Sequence, residues 1–173
     1  MDKYDLEKRV ALAVDEWGIW TDVEPGTNPG FLYQQNSLRD ALIAATTLNI
    51  FNNHADRVRM ANLAQTINVL QALILTDKEK MLLTPTYYVY DLFKVHQNAT
   101  LIPTMIQSRD YVQGKDKLKA INGSASVSKD GTITISLVNI DPVNSQDVSL
   151  EVADIQALKI SGQVITSPKF TDH

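Results

Sequence analysis

The sequence lacks cysteine, long apolar runs and any concentration of basic residues. With no cysteine among its 173 residues, it has no disulfide framework, which fits a reducing compartment without establishing one. No apolar run reaches the roughly 18 residues that span a bilayer, and residues 1–7 are too acidic for the basic start of a signal peptide. We therefore predict no membrane partner, and the cellular compartment stays open.

The charge of the chain narrows the range of partners further. It carries 16 Lys and Arg residues against 20 Asp and Glu residues, for a formal net charge of -4, and the basic residues are scattered. Binding of a polyanion depends on clustered positive charge. Nucleic acid is therefore not an expected partner.

The hydrophobic content, 44%, is enough to build a core for one domain or two small ones. The composition changes near residue 104, so we predict two regions. Residues 1–103 alternate strand with helix, as in an α/β fold, and residues 104–173 read as all-β.

The first region shows two strand-helix units. Residues 9–17 form an almost continuous apolar run, typical of a strand buried on both faces of a parallel sheet. A Pro- and Gly-rich loop at 24–30 follows, and Ser37 can then cap a helix. The apolar positions of this helix recur at three and four residues: Leu38, Ala41, Leu42, Ala45 and Leu48.

The second unit begins with a predicted strand at residues 56–65. Residues 68–75 read as a short helical or loop segment. A further helix is predicted from about Thr84 to Val95, since Pro85 suits a first helical turn.

The second region reads as part of an antiparallel sandwich. Residues 125–128 and 132–139 alternate in hydrophobicity around Asp130-Gly131, which predicts a hairpin. Residues 148–152 and 158–165 alternate in the same way. These strands are too few for a whole sandwich, and two strand-helix units cannot close a barrel of about eight. The chain therefore reads as a fragment.

Carboxylates and tryptophans cluster at the end of the first predicted strand. Asp15 and Glu16 point to opposite faces because strand side chains alternate. Barrel enzymes place catalytic groups at this end of their strands, and Trp20 could lie flat against a sugar ring. The alternative from the residues alone is that Glu16 is merely an exposed carboxylate and the tryptophans are core.

Five sequence blocks carry a family resemblance. In chain order they resemble glycoside hydrolase family 51, the α-L-arabinofuranosidases, across most of residues 9–103. After about residue 110 the chain resembles the family only in its general strand-rich pattern, without matching sequence blocks. The blocks are VDEWGIW at 14–20, NSLRDAL at 36–42, HADRVRMANLAQ at 54–65, NVLQA at 68–72 and TPTY at 84–87.

The resemblance implies a fold and a site. It implies the last strand-helix units of a (β/α)8 barrel in residues 1–103, followed in 104–173 by the C-terminal part of a jelly-roll-like sandwich. It places Glu16 on the catalytic nucleophile, and Trp20 and Gln65 on residues that contact the sugar. Gly18 departs from the asparagine of many members, so the side-chain hydrogen bond that the asparagine offers is absent at this position.

The family mechanism needs a second carboxyl group that this chain does not carry. Retention of configuration implies a covalent arabinosyl-enzyme ester and an acid/base glutamate, which follows an asparagine in the family. The chain contains no Asn-Glu dipeptide. We therefore expect the isolated chain to be inactive.

We expect no cofactor and no metal, because His54 and His96 lack metal-ligand spacing. The expected partners are arabinose-containing glycans, with homo-oligomerisation in the full-length enzyme. One alternative is a carbohydrate-binding or assembly module using residues 117–173, although no Trp or Tyr occurs after Tyr111. Another is a related barrel glycosidase with a different sugar specificity.

Overall fold

The computed structural model describes residues 1–153 and 159–173. Within that part, both α-helices precede residue 104 and the regular elements assigned after it are all strands. No described helix is long and apolar enough to cross a membrane. In chain order the elements are β1 (Leu12–Trp17), a 3₁₀ helix (Pro29–Phe31), α1 (Leu38–Asn53), β2 (Val58–Leu63), β3 (Ile74–Asp77), β4 (Lys80–Leu83), α2 (Pro85–Phe93), a second 3₁₀ helix (Lys94–His96), β5 (Thr100–Ile102), β6 (Asp110–Gln113), β7 (Asp116–Lys119), β8 (Ile121–Val127) and β9 (Ile133–Asn139).

β1 and β2 form a parallel two-stranded sheet. Trp17 at the end of β1 lies opposite Leu63 at the end of β2, which confirms both predicted strands. The prediction that β1 is buried on both faces is wrong: Leu12 is 41% exposed, and Val14 and Trp17 are only half-buried. In the described chain β2 is the sole strand paired with β1, so much of the apolar run has nothing to pack against.

Helix α1 starts and packs as its sequence predicts. Ser37 is the N-cap, in an extended conformation, and its backbone N–H donates to the Asp40 carboxylate at 2.8 Å. This satisfies one donor just before the first turn, where helices leave backbone amides unpaired. The inner face of α1 forms a core with α2 and β9. The buried members of that core are Leu38, Ala41, Ala44, Ala45, Val89 and Val138.

The C-terminal residues close the first turn of α1. The backbone N–H of Leu38 donates to the carbonyl of Asp172 at 2.9 Å, and that of Arg39 donates to the carbonyl of Phe170 at 3.1 Å. His173 Nδ1 lies 2.7 Å from the Asn36 carbonyl oxygen. The end of the chain thus pairs two of the amides that the helix itself cannot satisfy.

Helix α2 also confirms its prediction, with Thr84 as N-cap and Pro85 in the first turn. The segment before it is not helical: residues 68–73 consist mainly of bends, with one isolated bridge residue, Leu70, and Ile74 begins the β3–β4 hairpin. Lys78 occupies the turn with a positive φ of 55°. The hairpin strands are short and largely exposed, so they lack a strong alternating pattern.

A three-stranded antiparallel sheet, ordered β5-β8-β9, dominates the second region. The predicted Asp-Gly hairpin is confirmed, with Val127 paired to Ile133 across the turn and Gly131 at a φ of 86°. β5 precedes residue 104 yet pairs with β8. Helix α1 packs on β8, where the Asn53 side chain donates to the Gly123 carbonyl at 2.9 Å.

The two strands predicted nearest the C-terminus are wrong where the structure describes them. Residues 148–152 and 159–165 contain no strand, and Leu158 lies outside the described residues. A strand needs a neighbour to receive its backbone hydrogen bonds. The alternating pattern in these segments remains, with Val148, Leu150, Val152, Ile160 and Val164 all exposed.

His96 ties the second 3₁₀ helix to the sheet. Its Nδ1 lies 2.7 Å from Ser126 Oγ and its Nε2 lies 2.8 Å from Ser136 Oγ. Burial lowers the pKa of His96 below its usual 6.5. The unfolded chain therefore takes up a proton at His96 more readily than the folded chain as pH falls below about 6.5.

We therefore expect part of the stability to be present above about pH 6.5 and to be lost as the pH falls toward the lowered pKa of His96. Urea unfolding at pH 7.5 and pH 5.5 measures this, and the drop should be smaller for His96→Gln. His54→Gln, at an exposed position, is the control. An equal drop in wild type and His96→Gln would rule His96 out as the source.

Candidate active site

The ends of β1 and β2 bring Glu16 and Gln65 to one edge of their sheet. The two strands are parallel, so both end at the same edge. The Ala64 backbone N–H donates to the Trp17 carbonyl at 2.8 Å, and Glu16 and Gln65 each lie next to one partner of this hydrogen bond. Both side chains are exposed. The Glu16 carboxylate is thus open to a ligand approaching this edge.

The two tryptophans that follow Glu16 have different environments. Trp17 is half-buried and packs against the core, edge-on to Phe51 at 5.4 Å and stacked on Tyr90 at 6.4 Å between ring centroids. Trp20 is 67% exposed. The core alternative thus holds for Trp17 and fails for Trp20.

Trp20 lines a shallow open hollow together with Thr21, Asp22 and Val23, here called the Trp20 hollow. Glu16 and Gln65 are not in this lining; they lie near the carboxyl ends of β1 and β2. An exposed indole beside polar groups is a suitable surface for a sugar, because its flat face contacts the C–H side of the ring. The hollow therefore offers a binding surface a few residues from a carboxylate.

Gly18 lets the chain turn between Glu16 and Trp20. Its backbone φ is +152°, a value that residues with a side chain rarely adopt. A Cβ at this position would lie 3.3 Å from both the Ala64 carbonyl oxygen and Gln71 Oε1. The glycine that departs from the family pattern thus lies where a side chain would be in tight contact with Ala64 and Gln71.

Two buried glutamines hold the loop after β1. Gln34 is 1% exposed and hydrogen-bonds to the Ile19 carbonyl and the Thr21 N–H, on the two sides of Trp20. Gln71 is fully buried and accepts the Ile19 N–H. Gln71 lies in the block NVLQA at 68–72, but neither glutamine lies on a periodic element, so the sequence did not single out either as a residue of the site. Their burial and contacts become visible only in the fold.

The described residues show no group of three or more His, Cys, Asp or Glu side chains that could hold a metal ion. The chain's own groups singled out here are the Glu16 carboxylate, the Gln65 amide and the exposed Trp20 indole. A lone carboxylate can act as a nucleophile on an electrophilic carbon, but protonation of a leaving group needs a second acidic group.

Comparison with known proteins identifies relatives across nearly the whole chain. Residues 15–173 match the family model described as the alpha-L-arabinofuranosidase C-terminal domain. The chain is 47% identical, over its full length, to an intracellular exo-alpha-L-arabinofuranosidase of Bacteroides ovatus. It is 26% identical over 86% of its length to an exo-alpha-(1->6)-L-arabinofuranosidase of Bifidobacterium longum.

The chain is also similar to solved structures of arabinofuranosidases. The family 51 arabinofuranosidase of Xanthomonas axonopodis pv. citri matches 82% of the chain with a TM-score of 0.79 and 58% identity. An alpha-L-arabinofuranosidase from Thermotoga maritima, solved as an arabinose complex, matches 83% with a TM-score of 0.68 and 28% identity. The chain spans 29% and 31% of these two structures and 34% of the Bacteroides relative.

Proposed function

Since the chain belongs to the family of the α-L-arabinofuranosidase C-terminal domain, we propose that it supplies the nucleophile of a retaining enzyme that removes terminal arabinofuranosyl residues. The substrates are arabinose-containing polysaccharides or oligosaccharides. The observation that carries the proposal is the exposed Glu16 near the end of β1, four residues before the exposed Trp20 that lines the Trp20 hollow.

In this proposal each site residue has one role. Glu16 attacks the anomeric carbon and forms an ester, while the sugar rests against Trp20 and donates a hydrogen bond to, or accepts one from, Gln65. Retention requires a second carboxyl group roughly 5 to 5.5 Å away to protonate the leaving oxygen and then activate water. That group comes from residues outside this chain, which has no Asn-Glu dipeptide.

The same proposal explains why β1 and β2 form a sheet of only two strands in the described part of the chain. β1 and β2 are two of the strands of a (β/α)8 barrel formed by residues 1–103 together with residues outside this chain. Residues 104–173 are the C-terminal share of a jelly-roll-like sandwich. In the complete enzyme, apolar side chains that are exposed in this chain become buried. They include Leu12 and Met60 on the barrel strands and Leu150 and Ile160 in the part of the sandwich formed by residues 104–173. The complete enzyme forms homo-oligomers.

The test compares the chain alone with a composite enzyme. We define the composite enzyme as this chain joined behind the part of the Bacteroides ovatus relative that precedes the matched third. A chromogenic arabinofuranoside should be hydrolysed by the composite enzyme and left intact by the chain alone. The full-length relative is the positive control, and a chromogenic xyloside checks the alternative sugar specificity.

Two results would overturn the proposal. One is turnover by the chain alone that disappears in Glu16→Gln, because a single carboxylate would then suffice. The other is a composite enzyme that is folded by circular dichroism and the correct size by sedimentation, yet hydrolyses neither glycoside.

A further inference from the structure

Two buried glutamine side chains make hydrogen bonds to the backbone of the loop that carries Trp20. On one side, Gln34 Oε1 accepts the Thr21 N–H at 3.0 Å and Gln34 Nε2 donates to the Ile19 carbonyl at 3.1 Å. Its amide thus bridges the residues before and after Trp20, as a neighbouring strand would. Because one atom accepts and the other donates, only one orientation of the amide satisfies both backbone groups.

Gln71 holds the same loop from the other side. Its Oε1 accepts the Ile19 N–H at 2.9 Å, and its Nε2 donates to the Asp40 carbonyl at 2.8 Å and to Thr86 Oγ1 at 3.1 Å. One buried amide thereby connects the loop to the first turns of α1 and α2. Burying it without partners would be costly, so its three hydrogen bonds fix its position.

The two glutamines also share a common support. Asn36 Nδ2 donates to the Gln34 carbonyl at 3.0 Å and to the Leu70 carbonyl at 3.2 Å. The backbone segments before α1 and before Gln71 are therefore tied together. We refer to Gln34 and Gln71 as the amide clamp. It restrains the Ile19 and Thr21 backbone while leaving the Trp20 side chain exposed.

We propose that the amide clamp positions Trp20 for the sugar, so that Gln34 and Gln71 are positioning residues of the reaction. This role rests on the proposed function of Trp20. The clamp itself does not touch substrate: both side chains are buried, and they act through the backbone of Ile19 and Thr21. Rigid support of this kind matters because a displacement of about 1 Å can cost about a hundredfold in rate.

The first test follows backbone protection in the chain itself. Amide hydrogen exchange detected by NMR should be about five- to tenfold faster at Thr21 in Gln34→Met and at Ile19 in Gln71→Met, the loss expected for one hydrogen bond. Gln35→Met, at the exposed neighbouring position, should leave both amides unchanged. Gln34→Asn, which keeps an amide but shortens its reach, replaces any methionine variant that unfolds.

The second test separates positioning from folding through a double-mutant cycle in the composite enzyme. Gln34→Met should lower kcat/KM about tenfold or more in the presence of Trp20. In a Trp20→Ala background the same substitution should have little further effect, because Gln34 acts on the substrate only through the position of Trp20. A merely structural role would lower activity equally in both backgrounds.

The two tests fail separately. Unchanged exchange at Ile19 and Thr21 in the clamp variants would overturn the clamp, whatever the enzyme does. Faster exchange with equal losses of activity in both Trp20 backgrounds would also overturn the positioning role. A composite enzyme without any activity would instead contradict the proposed function, and the exchange data would then decide the clamp alone.

Discussion

Replacing Glu16 by Gln in the composite enzyme is expected to lower kcat about a thousandfold or more, the scale on which removal of a catalytic nucleophile acts. The amide has nearly the shape of the carboxylate but cannot form the ester. Since Glu16 is exposed, its loss should leave folding intact. Steady-state kinetics with a chromogenic arabinofuranoside measures the effect.

Two controls make the Glu16 result specific. Asp15→Asn alters the neighbouring exposed carboxylate, which points to the other side of β1, and should cost far less activity. In Glu16→Ala, added azide can attack the anomeric carbon from the space that the carboxylate leaves, and should restore turnover. Equal losses for Asp15→Asn and Glu16→Gln, with no rescue by azide, would speak for a structural defect instead.

The second large effect concerns stability. Asp40 is fully buried, and its carboxylate accepts hydrogen bonds from the Ser37 N–H at 2.8 Å, Ser37 Oγ at 3.1 Å and Arg39 Nη2 at 3.1 Å. Asp40→Ala removes all three and leaves a buried backbone donor unpaired. We expect a loss of about 2 to 3 kcal/mol in the free energy of unfolding.

Urea unfolding measures this loss as a lower midpoint with an unchanged slope. Asp91→Ala on α2 is the matched control, because Asp91 is a half-exposed helical aspartate paired with Lys94 at the surface. Its midpoint should move little, since exposed ion pairs contribute little. If the two variants shifted by similar amounts, the buried cap of α1 would not be the source of stability.

The sequence predicts the helices best because their signals are local. Ser37, Asp40 and the apolar spacing of α1 lie within a few turns of one another, and Thr84-Pro85 marks the start of α2 equally clearly. The Asp130-Gly131 hairpin is local for the same reason. Capping and turn residues act over three or four positions, so no distant contact has to be known.

Strand burial could not be predicted from the sequence, because it depends on which strands are neighbours. The apolar residues of β1 indicate a buried strand, yet Leu12 is exposed where β2 is its sole partner in the described chain. Residues 159–165 likewise alternate without forming a strand. In both cases the apolar pattern fits a strand with buried neighbours, and the residues described in the structure do not supply those neighbours.

Part of the candidate site could be predicted from the sequence, and part is visible only in the fold. Glu16, Trp20 and Gln65 could be singled out because they lie in a strand-end motif and in blocks that resemble a family. The amide clamp could not, even though Gln71 lies in one of those blocks, because Gln34 and Gln71 act through hydrogen bonds to the backbone of residues 13 or more positions away. No composition, period or spacing marks a buried amide of this kind.

The most direct test of the account is to identify the residue that carries the covalent sugar. In the composite enzyme with its acid/base glutamate replaced by alanine, an arabinofuranoside with an activated leaving group can still react, but water is no longer activated to release the sugar. Peptide mapping by mass spectrometry should then find one arabinosyl residue on Glu16. A label on any other residue, or steady turnover with no labelled enzyme, would contradict the account.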